Sequence, residues 1–224
     1  MSNKILVVAA HPDDEVLGCG GTIIKHIKNG DFVEIILMSD GVGSRAENSA
    51  ANVQDREERY KMAERARALM GVHKLRLFDF PDNMMDSVPL LDIVRKLEPH
   101  IKTLQPDIIY THYKGDLNID HQITHRSVMT ACRPLSGSTI SKIYSFEVLS
   151  STEWTLESTF SPTHFVDIHQ ELSLKMEALE IYGKEMRCFP NSRSIQAVEL
   201  LAKLRGASIG LPASEAFTVE RSLE

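Results

Sequence analysis

Two short segments concentrate the groups that could handle a metal ion and a proton. The first, His11-Pro12-Asp13-Asp14-Glu15, directly follows the apolar run Ile5 to Ala10. A buried strand that empties into one histidine and three acids is unlike a plain turn. Pro12 fixes one backbone torsion and stiffens the loop. The adjacent Asp13 and Asp14 point in different directions, so one can hold a cation beside His11 while the other stays free to accept a proton. The competing account is that these acids cap a helix beginning near Glu15, where the helix dipole favours negative charge. The second segment runs from Thr111 through Asn118, Asp120 and His121 to His125, again after an apolar run. His11, Asp14 and His121 could meet around one metal, as two neutral imidazoles and a carboxylate. That set suits zinc with a fourth position for water, and it also accommodates Fe(II), Mn(II) or Co(II). Asp120 would be available to orient a ligand or a catalytic group. His125, four residues after His121, shares its helix face, either as a further ligand or oxyanion donor or as a packed helix histidine. His112 is left unassigned.

These segments need elements to bring them together. Ile5 to Ala10, Val33 to Met38, Leu75 to Phe78 and Asp107 to Thr111 read as strands buried on both faces. Lys142 to Val148 alternates and reads as a fifth strand nearer an edge. Helical periodicity covers Asp55 to Met70 with Gly71 as its stop, Leu90 to Leu104 with Pro99 as a kink or break, and His121 to Cys132. Such alternation predicts an α/β fold, a Rossmann-like three-layer α/β/α arrangement with a mainly parallel sheet. In that topology ligands bind beyond the carboxyl ends of strands, where both segments lie. Gly18, Gly20 and Gly21 lack the G-x-G-x-x-G spacing of a dinucleotide site, so close helix–sheet packing explains them better. The last third changes character. A polar stretch from Ser150 to Pro162 precedes helical patterns at Gln170 to Tyr182 and Ser194 to Leu204, read as a C-terminal β/α layer near the cleft. No repeat or long linker divides the chain, so residues 1–224 read as one domain. In the irregular stretch Arg187 to Ser194, Arg193 and its neighbours could bind a phosphate, or form a solvated surface loop.

Composition excludes several classes. The 224 residues carry 25 Lys+Arg against 31 Asp+Glu, a formal charge of −6, and no basic run, which argues against a nucleic-acid partner. The N-terminal apolar run meets charge too soon for a signal peptide or membrane insertion. Cys19, Cys132 and Cys188 form neither a C-x-x-C pair nor a disulfide framework. The expectation is a cytoplasmic protein with reduced thiols. A homo-oligomer is compatible with all of this.

Together, Ala10-His11-Pro12-Asp13-Asp14-Glu15 and Asn118-Ile119-Asp120-His121 resemble the PIG-L/LmbE family of zinc-dependent N-deacetylases. The likeness spans about the first 60% of the chain. Ser150-Ser151-Thr152-Glu153-Trp154 is similar to a branch associated with surface-glycan or secondary-metabolite sugars. The resemblance implies His11, Asp14 and His121 as zinc ligands and Asp13 as general base. It implies hydrolysis of the N-acetyl group of a small amino-sugar substrate, free, phosphorylated, nucleotide-linked or in a glycoconjugate. Many relatives have a histidine three residues before the last ligand; here Asn118 stands there, and it or His125 is the candidate oxyanion donor. Arg56 and Asp82 match positions that touch sugar hydroxyls in relatives. The alternatives are a sugar- or nucleotide-binding protein that has lost the chemistry, and a zinc hydrolase of another amide.

Overall fold

The computed structural model describes residues 2–43, 49–155 and 159–224, with only the helical backbone of residues 49–53 included. Residues 156–158 of the polar stretch after Ser150 thus lie outside the described residues. Strands β1 (Lys4–Ala9), β2 (Phe32–Ser39), β3 (Lys74–Phe80), β4 (Ile108–His112) and β5 (Lys142–Phe146) are parallel, ordered β3-β2-β1-β4-β5. Strand β7 (Ser214–Ser222) follows antiparallel to β5, and β6 (His164–Asp167) closes that edge antiparallel to β7.

The apolar β1 run explains the layering. Its odd residues Ile5, Val7 and Ala9 join one core, with Ile23 of α1 (Asp14–Lys28), Ala66 of α2 (Ser49–Met70), Leu179 of α5 (Leu172–Ile181) and Val198 of α6 (Ile195–Ala207). Its even residues Leu6 and Val8 join a second core, with Leu97 of α3 (Leu90–Leu104) and Val128 of α4 (Ile119–Ala131). A period of two with both faces apolar requires helices on both sides, giving the three-layer α/β/α sandwich.

The structure departs from the sequence expectation in three places. Strand β5 is interior, between β4 and β7, rather than near an edge, because the C-terminal strands extend the sheet. Helix α2 begins at Ser49 rather than Asp55. Helix α3 continues through Pro99, which lies on the exposed face, where solvent can take over the Arg95 carbonyl that loses its amide partner. The glycines of α1 act through proximity, as expected. A Cβ on Gly18 would lie 2.2 Å from Phe146, and one on Gly21 would lie 2.8 Å from Ile168.

The strand order reverses direction between β1 and β4. The chain moves from β1 to one side and returns to place β4 on the other, so the loops leaving these two strands diverge and open a crevice between them. His11 and His121 belong to those loops and the helix starts that follow them.

Candidate metal centre and cleft

Beyond β1 the backbone turns sharply. Asp13 adopts φ 101°, a conformation that costs a non-glycine residue about 1–3 kcal/mol. Past the turn the two carboxylates have different partners, Arg193 for Asp13 and the rings of His11 and His121 for Asp14. Asp13 is the N-cap residue of α1, yet its carboxylate makes no capping hydrogen bond, so capping does not explain this acid. Asp14 Oδ2 lies 3.2 Å from His11 Nδ1 and 3.2 Å from His121 Nε2. One ligand atom from each of these three buried residues falls within 4.8 Å of the other two.

The outer nitrogens of both imidazoles are held by carboxylates. His11 Nε2 is 3.0 Å from Asp120 Oδ2 and 3.2 Å from Asp82 Oδ1. His121 Nδ1 is 3.1 Å from Asp116 Oδ1 and 3.3 Å from Ser151 Oγ. Metal-binding histidines characteristically donate their second ring N–H to such an acceptor, which fixes both tautomer and ring direction. His11, Asp82 and Asp120 also approach one another closely enough to hold a cation. However, the Asp120 oxygens already accept the backbone N–H groups of Asn83 (2.7 Å) and Met85 (2.9 Å). Asp120 is thus a support that ties the Asp82–Met85 segment to His11.

Electrostatics agree with a cation between Asp14 and the two rings. Burial opposes charge on His121, but the Asp14 and Asp116 carboxylates outweigh it and push its pKa up to about 9. Burial likewise opposes charge on His11, and Asp120, Asp14 and Asp82 carry its pKa well above the usual value. Asp14 is held well below the carboxylate range, its burial outweighed by His121 and His11. These carboxylates draw positive charge inward, which a divalent ion on the same donors would supply. The donor set fits zinc or a related first-row metal.

His112, unassigned by the sequence, lies behind this cluster. Its Nε2 accepts the Ala10 N–H at 2.8 Å, and its ring stacks on His121 at 3.9 Å. Burial and the neighbouring His121 hold its pKa well below the usual value, so it is neutral. It is a spacer between the β1 end and His121.

The cleft over the centre has a volume of about 230 Å³ and is lined in part by His11, Asp14, Asp82, Asn118, His121 and Arg193. Asn118 caps α4: its Oδ1 accepts from the Asp120 and His121 N–H groups, while Nδ2 donates to Asn83 Oδ1 at 3.0 Å. His125 does not line this cleft; its Nε2 lies 3.7 Å from Glu220 Oε1 on β7. Arg56 is also outside the lining, exposed and paired with Asp40 at 2.6 Å, whereas Arg59, one turn later on α2, is inside it. Arg193 does not present an open anion site. Its Nη2 donates to both Asp13 oxygens, at 2.7 and 2.8 Å, and its Nη1 donates to Ser150 Oγ at 3.0 Å.

Sequence reasoning missed Asp116, Arg59 and Ser151. Asp116 lies within the second segment, between Thr111 and Asn118, so its acidity is a usable signal. Arg59 offers only its i+3 spacing from Arg56, and Ser151 stands in the branch-like segment Ser150 to Trp154, which points to no contact with a histidine.

Residues 6–132 match the PIG-L family, described as GlcNAc-PI de-N-acetylase. The chain is 30% identical to the uncharacterized deacetylase YaiS of Escherichia coli K12, over 79% of this chain and 88% of that protein. It is 26% identical to the diacetylchitobiose deacetylase of Thermococcus kodakarensis, over 81% of this chain and 70% of that one. Among solved structures, GalB from Pseudomonas putida KT2440, a 4-carboxy-2-hydroxymuconate hydratase, superposes with a TM-score of 0.77 at 21% identity, covering 100% of this chain and 99% of the other. That last likeness is one of fold, on which different reactions are run.

Proposed function

Because the chain belongs to the PIG-L family, we propose that it is a metal-dependent hydrolase that removes the N-acetyl group from a small amino-sugar substrate. The observation that carries this reading is the His11–Asp14–His121 donor set at the floor of a polar cleft, with the outer nitrogen of each imidazole held by a carboxylate. Zinc on these donors would polarise the amide carbonyl and lower the pKa of its water to ~7.

The chain supplies the rest. Asp13 takes the proton of the attacking water and delivers it to the nitrogen as the C–N bond breaks, so that acetate and a free amine leave. The Asn118 amide has two N–H donors, one given to Asn83 Oδ1, which leaves the other for the oxyanion. His125 takes no part in this scheme, being outside the cleft lining. Asp82 and Asn83 line the cleft and would receive sugar hydroxyls, whereas Arg56 lies outside the lining and would not. Asp120 and Asp116 hold the two imidazoles.

The test is a panel of N-acetylated sugars, free, phosphorylated and nucleotide-linked, with released primary amine measured before and after chelation. Readdition of Zn, Fe(II), Mn or Co then identifies the effective metal. Asp13→Ala should keep the metal and lose turnover, whereas Asp14→Ala should lose the metal. Turnover retained in Asp13→Ala would overturn the assignment of the base. Asn118, standing where many relatives have histidine, favours one rival, a sugar-binding protein without turnover. Metal and sugar bound without amine release across the panel would establish that rival.

A further inference from the structure

The metal donors and Asp13 come from the part of the chain that matches the family, but Asp13 is held by a residue well beyond it. Its carboxylate is fully buried and takes no part in capping α1. Arg193 Nη2 reaches both oxygens, while Arg59 Nη1 stands off at 3.8 Å. Arg193 is itself fixed at three points. Its backbone N–H donates to Asn191 Oδ1 at 2.9 Å, its carbonyl accepts from the Arg187 N–H at 2.8 Å, and its Nη1 is anchored on Ser150 Oγ. Ser194, the next residue, caps α6 through a bond from the Ala197 N–H at 3.1 Å. The guanidinium is therefore pinned from the backbone outward before any substrate arrives.

We infer that Arg193 is the positioning residue for the base: it fixes the direction of the Asp13 carboxylate, with Ser150 as its anchor. This rests on the reading of Asp13 as the base. An ionised carboxylate has about four lone-pair sites, so two bonds from one Nη2 leave acceptor capacity for a water proton. A lysine offers a point charge without a fork and cannot hold Asp13 and Ser150 in one planar arrangement. The C-terminal layer therefore completes the catalytic geometry, because the β1 loop leaves the Asp13 side chain without a bond of its own.

The test combines kinetics with melting. With the N-acetyl sugar turned over fastest by the wild type, Arg193→Ala should lower kcat about 10²-fold, the scale of a misplaced reacting group. KM and bound metal should remain near wild type. Guanidinium ion should restore part of kcat in Arg193→Ala and none in Asp13→Ala, while Arg193→Lys and Ser150→Ala should fall between. In the metal-free protein, Asp13→Asn combined with Arg193→Met should lower the melting temperature by less than the sum of the single changes. Wild-type kcat in Arg193→Ala would overturn the inference, and a change confined to KM would also overturn it and make Arg193 a substrate contact instead. Additive melting shifts would overturn the pairing itself. Turnover surviving in Asp13→Ala, with the melting coupling intact, would instead remove the base assignment and leave the contact standing.

Discussion

Asp116 gives the sharpest test of whether the His11–Asp14–His121 set is a metal centre. Its Oδ1 lies 3.1 Å from His121 Nδ1 and accepts the Asn118 N–H at 2.8 Å, while Oδ2 accepts from the Ser151 and Thr152 hydroxyls. Asp116→Asn is nearly isosteric. The remaining carbonyl can keep the His121 and Asn118 bonds, and the new NH₂ can donate to hydroxyls that turn to accept. What is lost is the negative charge behind the imidazole, which makes its inner nitrogen a better ligand. Loss of a carboxylate behind a ligating histidine weakens metal binding by about 10–100-fold, or about 1.4–2.7 kcal/mol. Zinc competition against a chromophoric chelator would measure this directly, alongside melting of the metal-free protein. A 10–100-fold weaker affinity with little change in metal-free melting is expected. Unchanged affinity would refute the claim that Nε2 of His121 faces the metal. A large loss of metal-free stability with unchanged affinity would make Asp116 a loop residue only.

Three further predictions concern the scaffold. Gly18→Ala places a methyl against Phe146, whose ring packs edge-on to His112 at 4.8 Å; a loss of about 1–3 kcal/mol in urea unfolding is expected, with weaker zinc binding transmitted through His112. Unchanged affinity would break that second link. Lys175→Met leaves buried Glu215 without its 2.6 Å partner, so unfolding titrations should show a loss of about 3 kcal/mol or more, and a loss below 1 kcal/mol would contradict the pairing. Burial raises the Asp31 pKa, but bonds from His26 and Asn3 outweigh it and leave it lowered. The folded pKa lies below the unfolded value, so this stabilisation is fully present above about pH 4 and is lost as pH falls through the folded pKa. The stability gap between wild type and Asp31→Asn, from urea midpoints at pH 6 and pH 3, should shrink at pH 3; an equal gap would contradict the sign.

The parts legible in the sequence were those where one physical requirement acts locally. Apolar runs such as Ile5 to Ala10 imply strands covered on both faces, and parallel connectivity then brings the residues after β1 and β4 to one edge. The illegible parts depend on partners distant in the chain. Strand β5 reads as nearer an edge because nothing in Lys142 to Val148 signals that β7, some seventy residues later, will pair with it. Asn118 looked like a catalytic amide by position, yet its oxygen serves as the α4 cap, a role that any short polar residue before a helix can take. Arg193 carried an anion-binding signal that was chemically apt. Its anion is the chain's own Asp13, 180 residues earlier. His125 shared a helix face with His121, but one face of a helix spans more than a single cleft, and its later turn meets Glu220 of β7.

The C-terminal third also acts on the site from behind. Helix α1 is interrupted at Cys19, whose φ of −145° and ψ of 22° are not helical. Such an interruption frees buried backbone groups that must find partners. Glu215 of β7 accepts the Gly21 and Thr22 N–H groups at 2.9 and 2.7 Å, and Lys175 of α5 donates to the Leu17 carbonyl at 2.9 Å. The buried Lys175–Glu215 pair thus supplies one group to each side of the break. The short segment from Asp14 to Gly18 is therefore held separately from the rest of α1, and it carries both Asp14 and Glu15. Tyr182, just after α5, donates to Glu15 Oε1 at 2.9 Å, and Glu15 Oε2 accepts the Asp13 N–H at 3.0 Å. The break at Cys19 is thus bridged directly by Lys175 and Glu215, and the turn at Asp13 is steadied indirectly by Tyr182 through Glu15. The candidate donors His11, Asp14 and His121 can be read from the first 132 residues, but the backbone that carries His11 and Asp14 is braced by the layer that follows.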